Sequence, residues 1–387
     1  MKILQVIPYF YPFAGGVEAN AYYTCRELVK IGHKITVICY NHKKGYKEEK
    51  IDGIIVKRVN LEKQLLNSPF SSNIKKKIFK ELEKNKYDLI HTHIPSPFPA
   101  YCAARASSKF NIPLFLTYHN DIGGLGFFSN IFAFIWNLLF GNYILSRCSR
   151  IFATTPIYPE ISPWLRMHKK KIRIIFNGVD MKVYNPSNSK HKKAIEIKRK
   201  YNNKKIIFFV GSMGVYKKCK GIDYLIKSAV HLKKSLKNFI IVIGGKGKLR
   251  EHYMEMTKKL KVNDVVDLIG YIKEVDMPYY YAASYITVLP SISKWEGFGI
   301  ILMESLASKK PVVGSTIGGI PFAVGKGGLL FNPKDETDLY NKIKRLINDK
   351  KLYNKSAEKG FKRVKDMFQW KDIAKKQEIF YGEIKER

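Results

Sequence analysis

The sequence is poor in acid. Against 69 Lys plus Arg stand 32 Asp plus Glu, a formal net charge of +37 over 387 residues. Such a chain is drawn to something anionic: nucleic acid, phosphorylated ligands or an acidic membrane. Cysteine is scarce too. Cys25, Cys39, Cys102, Cys148 and Cys219 are odd in number and scattered, without CxxC or Cys/His ligand spacing, which argues against a disulfide framework and a zinc site and suits a cytosolic chain. GxGxxG and GxxxxGK[ST] are both absent, so there is no dinucleotide fingerprint and no Walker loop. No nucleic-acid-binding module can be read either. The opening "MKILQVIPYFYP" lacks a small-residue cleavage site, which argues against a signal peptide.

What is present is a two-domain pattern. At 45% hydrophobic, 387 residues can bury two sizeable cores. Short apolar runs alternate with amphipathic stretches, as parallel strands alternate with crossover helices. "KILQVIP", "KITVICY", "DLIHTH", "PLFLTYH", "RIFATT" and "IRIIFN" form a first set of strands; "KIIFFVG", "NFIIVIGG", "VVDLIG", "YITVLPS" and "PVVGST" form a second. The polar, lysine-rich stretch from Asp180 to Lys205 separates them. The expected fold class is α/β, two doubly wound halves, residues 1–185 and the remainder.

In such sheets ligands bind beyond the carboxyl ends of the strands, so residues just after strands carry the functional weight. Gly15 and Gly16 follow strand one and open a helix, either as a tight turn or as a backbone approach to phosphate. His91 reads as a packing residue. His119 stands among Thr117, Asn120 and Asp121, surroundings polar enough to hydrogen-bond hydroxyls. In the second half, Gly211 and Gly214 precede Lys217, Lys218 and Lys220, which either form a solvated face or point ammonium groups at a diphosphate.

"KWEGFGIILMESLASKKPVVGSTIGGIP" holds Glu296 and Glu304, eight residues apart. The strand "YITVLPS" ends at Pro290 and a helix starts near Gly299, placing Glu296 before the helix and Glu304 on its second turn. Eight residues of helix rise about 12 Å, more than the roughly 5 to 9.5 Å between carboxyls that flank one glycosidic bond. The two acids therefore serve different parts of one extended ligand. Between them the free N–H groups of Gly297, Phe298, Gly299, Ile300 and Ile301 make an anion site. Acid, phosphate cradle, acid is the layout of a sugar diphosphonucleoside, with Glu304 accepting from the ribose hydroxyls.

These residues resemble a known family. "EGFGIILME" looks like the E-x7-E motif of retaining glycosyltransferases of family 4, and "PYFYPFAGGVEANAYYTCRELVKIGHKITVI", "TYHND", "IIFNGVD", "VGSMGVYKKCKGIDYLI" and "STIGGIPFAVGKGGLLFNPKD" follow in the family's order. "FQWKDIAKKQEIFYGEI" is similar to its closing segment. The resemblance implies the GT-B fold: two facing Rossmann-like domains with parallel sheets, here 1–185 on the acceptor side and 186–365 on the nucleotide-sugar side, with 366–387 crossing back to the first. It also implies a metal-independent transferase acting on a UDP- or GDP-linked sugar, with no cofactor beyond that co-substrate. By the same resemblance Glu296 contacts the transferred sugar, Glu304 the ribose, Lys220 the diphosphate, Gly16 the phosphate from the opposite domain, and His119 a sugar hydroxyl. Two departures stand out. Ser212 occupies the place of an arginine, whose work Lys217 or Lys218 would take over, and Phe322 follows "GGIP" where glutamate is frequent. With no second acid close to Glu296, transfer on one face of the sugar is expected rather than a covalent intermediate.

From Ile122 to Ser146 the chain carries no charge. Glycines interrupt the stretch and it lies between two strands, so it is not expected to span a membrane. It either packs in the core or, through Phe128 and Trp136, meets a greasy acceptor or the membrane interface. The lysine clusters "NIKKKIFKELEKNK" and "RMHKKKIR" lead us to expect peripheral contact with an anionic membrane on the cytoplasmic side, and a glycan or lipid-linked acceptor. Two other readings remain open: a GT-B sugar-nucleotide epimerase, and a basic nucleic-acid-binding protein.

Overall fold

The computed structural model describes every residue except 13–14, 42–44, 66–67, 122–126, 215–218, 295 and 384–387, and only the backbone of 63–65, 68, 127–130 and 132. The chain divides into two compact units, Met1–Asn177 with Trp370–Arg387, and Gly178–Gln369. The first division precedes the expected 185 and the second follows the expected 365.

The strands of the first unit are β1 (Lys2–Val6), β2 (Lys34–Asn41), β3 (Lys47–Ile51), β4 (Ile54–Asn60), β5 (Lys63–Leu65), β6 (Ser68–Phe70), β7 (Leu89–Ile94), β8 (Leu114–Tyr118), β9 (Cys148–Ala153) and β10 (Ile172–Ile174). Eight of them form one sheet in the order β10-β9-β8-β7-β1-β2-β4-β3, and β5 pairs with β6 apart from it. All neighbours in the large sheet run parallel except β3, an antiparallel edge on β4. Strands buried on both faces need continuous apolar runs, and β7 and β8 are buried throughout.

The second unit holds β11 (Lys205–Val210), β12 (Phe239–Gly244), β13 (Val266–Gly270), β14 (Ile286–Leu289), β15 (Val312–Ser315) and β16 (Gly328–Phe331). They form an all-parallel sheet in the order β13-β12-β11-β14-β15-β16. The fold is thus the expected mixed α/β one, with a parallel sheet in each unit. The eleven strands expected from apolar runs are all present.

Each sheet reverses its strand order once beside the first strand of its unit, between β1 and β7 and between β11 and β14. At such a switch point the loops after the two strands part and leave a crevice. The helix Trp370–Gly382 rejoins the first unit: Tyr381 packs edge-on against Phe115 with ring centroids 4.7 Å apart, and Trp370 stacks on Tyr23 at 5.5 Å.

Candidate active site

In the second unit the loops after β11 and β14 are sewn together. Ile292 N–H donates to Cys219 O at 2.8 Å, and Ser291 Oγ donates to the same oxygen at 3.0 Å. Gly221 sits in the left-handed region (φ 69°), where a Cβ would lie 1.9 Å from Pro290 O. Only glycine fits both the angle and the contact. Gly221→Ala is therefore expected to destabilise the protein by about 2 kcal/mol or more, read as a lowered urea midpoint; an unchanged midpoint would show that the loops are not clamped here.

This clamp places Lys220 opposite Glu296. Lys220 Nζ donates to Glu296 Oε2 at 2.7 Å, with side chains 24% and 13% exposed. Burial pulls the Lys220 ammonium down, but the charge and hydrogen bond of Glu296 more than offset it and leave the group above its ordinary range. Glu296 is fixed through its backbone as well. Gly319 N–H donates to Glu296 O at 2.8 Å, and at Gly318 (φ 54°) a Cβ would lie 2.3 Å from that oxygen.

Gly299, at φ 84°, caps the helix Ile300–Ala307. Glu304 lies on the second turn, half-buried, and Tyr281 Oη donates to Glu304 Oε2 at 2.5 Å. Burial pushes the Glu304 carboxyl up to about 7, although hydrogen bonds from Tyr281 and Tyr184 pull the other way. Gly297 and Gly299 flank Phe298, which is 3% exposed and packs on Phe322 (6.4 Å) and Phe368 (5.7 Å), and Ile300 is the first helical residue. The Arg363 guanidinium lies over both Phe322 and Phe368, at 4.7 and 4.9 Å. Phe322 thus completes an aromatic cluster under the helix start. Ser212 is exposed, and its Oγ accepts from Gly214 N–H at 3.4 Å. Lys217 and Lys218 lie outside the described residues.

In the first unit Gly16 opens the helix Gly16–Lys30, the next element after β1. At the switch point next to it stands a ladder of three buried imidazoles, His91, His93 and His119, stacked at 5.0 and 5.4 Å. Desolvation holds His91 and His119 down at about 3 and His93 well below its ordinary value, so all three are neutral. The rings are linked: the Gln5 amide meets His93 Nε2, and His93 Nδ1 meets His119 Nε2 at 3.1 Å, so the tautomer of one ring sets that of the next. His119 stands at the end of β8 as a neutral imidazole. His91, between Tyr381 at 2.5 Å and Thr117 at 2.9 Å, is held in the core, where a packing residue belongs.

Lys220, Glu296, Gly299 and Glu304 are thus gathered at one switch point, and Gly16 and His119 belong to the other unit. Trp136 is half-buried against the first unit's core and stacks on Phe140 at 5.7 Å; the Phe128 side chain lies outside the described residues. Sequence reading missed Tyr281, Tyr184, Gln5 and Gly318. Only the run "PYYY" and the "GG" of "TIGGIP" hint at any of them. Among the described residues no group of three or more His, Cys, Asp or Glu is arranged to hold a metal ion.

Comparison with known proteins identifies the family. Residues 14–183 match the family described as Glycosyltransferase Family 4, and residues 190–363 match Glycosyl transferases group 1. An uncharacterised glycosyltransferase of Methanocaldococcus jannaschii is 25% identical over 97% of this chain and 96% of its own. The phosphatidylinositol N-acetylglucosaminyltransferase gpi3 subunit of Schizosaccharomyces pombe is 23% identical over 98% of this chain and 80% of its own. Among solved structures, Anabaena HepE in complex with UDP matches with a TM-score of 0.76 at 18% identity, over 99% of this chain and 100% of that one. With consecutive matches over nearly its whole length, on a fold that solved glycosyltransferases share, the chain belongs to the group 1 glycosyltransferases, of family 4 type and GT-B fold.

Proposed function

We propose that the protein is a retaining glycosyltransferase. It moves a sugar from a UDP- or GDP-linked donor to a hydroxyl of a glycan or lipid-linked acceptor, without a metal, at the cytoplasmic face of a membrane. The Lys220–Glu296 pair at the switch point of the second unit, with Glu304 one helix turn deeper, is the observation that carries this reading. HepE, which shares the fold, holds UDP in its crystal structure, and gpi3 belongs to an enzyme named for a phosphatidylinositol acceptor.

In this reading the leaving diphosphate lodges between the Lys220 ammonium and the free amides at the start of Ile300–Ala307, where charge developing on its oxygen is neutralised. Glu304 accepts from the ribose hydroxyls. The bond from the anomeric carbon to phosphate breaks with its electron pair going to the phosphate oxygen. The acceptor hydroxyl bonds to the carbon from the same face and passes its proton to that oxygen. Glu296 stabilises the positive charge on the sugar, and the His119 imidazole hydrogen-bonds a sugar hydroxyl.

The test is the melting temperature with UDP, GDP, ADP and CMP, for wild type and Lys220→Ala. A ligand at about a hundred times its dissociation constant stabilises the fold by roughly 2.7 kcal/mol. One diphosphate is expected to raise the wild-type melting point, with most of the rise lost in the variant. No response to any of the four would overturn the donor site. Product analysis with donor alone then separates transfer from epimerisation.

A further inference from the structure

The helix Phe127–Trp136 continues through a π-helical turn, Asn137–Gly141, into Asn142–Arg147. Its amphipathicity is inverted. Ile131, Phe134, Ile135, Leu138 and Leu139, at i, i+3, i+4, i+7 and i+8, are 43%, 57%, 49%, 52% and 59% exposed. The opposite face, Ala133, Asn137 and Gly141, is buried, and a Cβ at Gly141 would lie 3.1 Å from Asn137 Oδ1. A helix on a water-facing surface does the reverse, and a contiguous apolar ridge of this kind marks an interaction surface.

The ridge continues onto the neighbouring segment. Phe134 touches Trp164, with ring centroids 5.7 Å apart, and Ile161 and Met167 are 45% and 59% exposed. His168 bonds Asn142 Oδ1 at 3.1 Å, and Lys171 Nζ donates to Ser146 O at 2.5 Å, which holds the basic stretch Arg166–Lys171 along the end of the helix. From residue 122 to residue 179 the only acid is Glu160, paired with Lys169 at 2.8 Å. Exposed Arg147, Arg166 and Lys170 border the apolar ridge, while the acids that reach this segment from elsewhere are engaged, Asp121 by Ser162 and Glu383 by Arg150 and Arg173.

We propose that this ridge docks the first unit on an anionic lipid bilayer. The helix lies in the plane of the interface with Phe134, Ile135, Leu138 and Leu139 below the headgroups, and Arg147, Arg166 and Lys170 meet lipid phosphates. No described helix is long and apolar enough to cross a membrane, which fits a surface orientation. A second copy of the chain is the poorer occupant, because it would set one cation-bordered patch against another on chains of net charge +37 each. The inference rests on the proposed lipid-linked acceptor for its purpose, and on exposure and charge for its substance.

Co-sedimentation with vesicles of phosphatidylcholine, alone or mixed with phosphatidylglycerol, at low and high salt, tests it. Wild type is expected to pellet with the mixed vesicles, Leu138→Glu/Leu139→Glu to bind them roughly tenfold or more weakly, and Arg166→Glu/Lys170→Glu to lose the preference for phosphatidylglycerol. The nucleotide-dependent melting shift is expected unchanged in both variants, which shows them folded and keeps this test apart from that of the donor site. Wild type that pellets with neither vesicle, or an apolar-face variant that pellets like wild type through general charge, would overturn the proposal. So would a wild-type dimer that the leucine variant makes monomeric while vesicle binding stays the same.

Discussion

Glu296→Gln is expected to lower the rate of sugar transfer by about 10²- to 10³-fold, the usual effect of removing one electrostatic group from a transition state, while leaving the melting shift with nucleotide diphosphate within a degree or two of wild type. The substitution keeps shape and most contacts. An amide oxygen still accepts from Lys220 Nζ, and the backbone oxygen of residue 296 still receives the Gly319 N–H. What is lost is the negative charge, needed when the sugar becomes cationic and of little use to the resting donor, so kcat falls and KM barely moves. Lys220 supplies a second readout. Its ammonium lies above the ordinary range because Glu296 outweighs burial. Without that charge burial weighs more heavily on the ammonium, so activity in the variant should fail at lower pH on the alkaline side than in wild type. A labelled-sugar assay across pH checks both. Transfer within a few fold of wild type would remove Glu296 from the chemistry.

Glu304→Gln is expected to make the protein more stable above neutral pH and at the same time unable to respond to nucleotide. The Glu304 carboxyl, ordinarily at 4.5, lies at about 7 in the folded chain because it is desolvated. Below pH 4.5 folded and unfolded states both hold the proton and nothing separates them. Between 4.5 and 7 the unfolded chain releases it while the folded one keeps it, so stability declines as pH rises. Above 7 the whole penalty, about 3 kcal/mol, is present. The amide carries no charge to desolvate, and Tyr281 Oη can still donate to its oxygen. The variant's melting point should exceed that of wild type by several degrees at pH 8, with the gap closing toward pH 4.5. In wild type, nucleotide affinity should grow from pH 6 to pH 8, because a carboxylate accepts from ribose hydroxyls better than a carboxylic acid. Equal melting points at pH 8, or a nucleotide shift that survives in the variant, would show that Glu304 is neither strained nor at the ribose. Destabilised groups of this kind are retained where function needs them.

Much of this could be read before any coordinates. Parallel strands buried on both faces must be continuous apolar runs, which is why "KIIFFV" and "LIHTHI" declared themselves. The edge strand "KEEKI" exposes most of its side chains and looks like loop, and the glycine-led "GLLF" of β16 is too short to stand out. Glu296 and Glu304 were legible because one helix start sets their spacing. Tyr281 and Gln5 were not. The first meets Glu304 from a helix 23 positions earlier, and the second meets His93 across 88 positions, through neighbouring strands whose order no local pattern reveals. For residues 122–146 composition gave the apolar character but not its direction, since the small face Ala133, Asn137, Gly141 and the large one are each uninterrupted. Lys220 was one of three lysines alike in local pattern, singled out by the resemblance to the family, and the structure adds its hydrogen bond to Glu296.

The return of Trp370–Gly382 to the first unit sets an order of assembly. Residues 1–177 leave the ribosome before Trp370–Gly382, yet their core lacks Trp370, Ile373, Ala374 and Tyr381, and His91 lacks its Tyr381 and Gln377 partners, until that helix is made. The second unit, Gly178–Gln369, is contiguous and needs nothing from outside its span to close its sheet. During synthesis the later-made half therefore completes first, and the earlier-made half waits with Phe115 and Phe152 incompletely covered. A contact such as His91 with Tyr381, 290 positions apart, is among the slowest kinds to form. A chain stopped before residue 370 would keep both switch points in its sequence while leaving the first unit without part of its core.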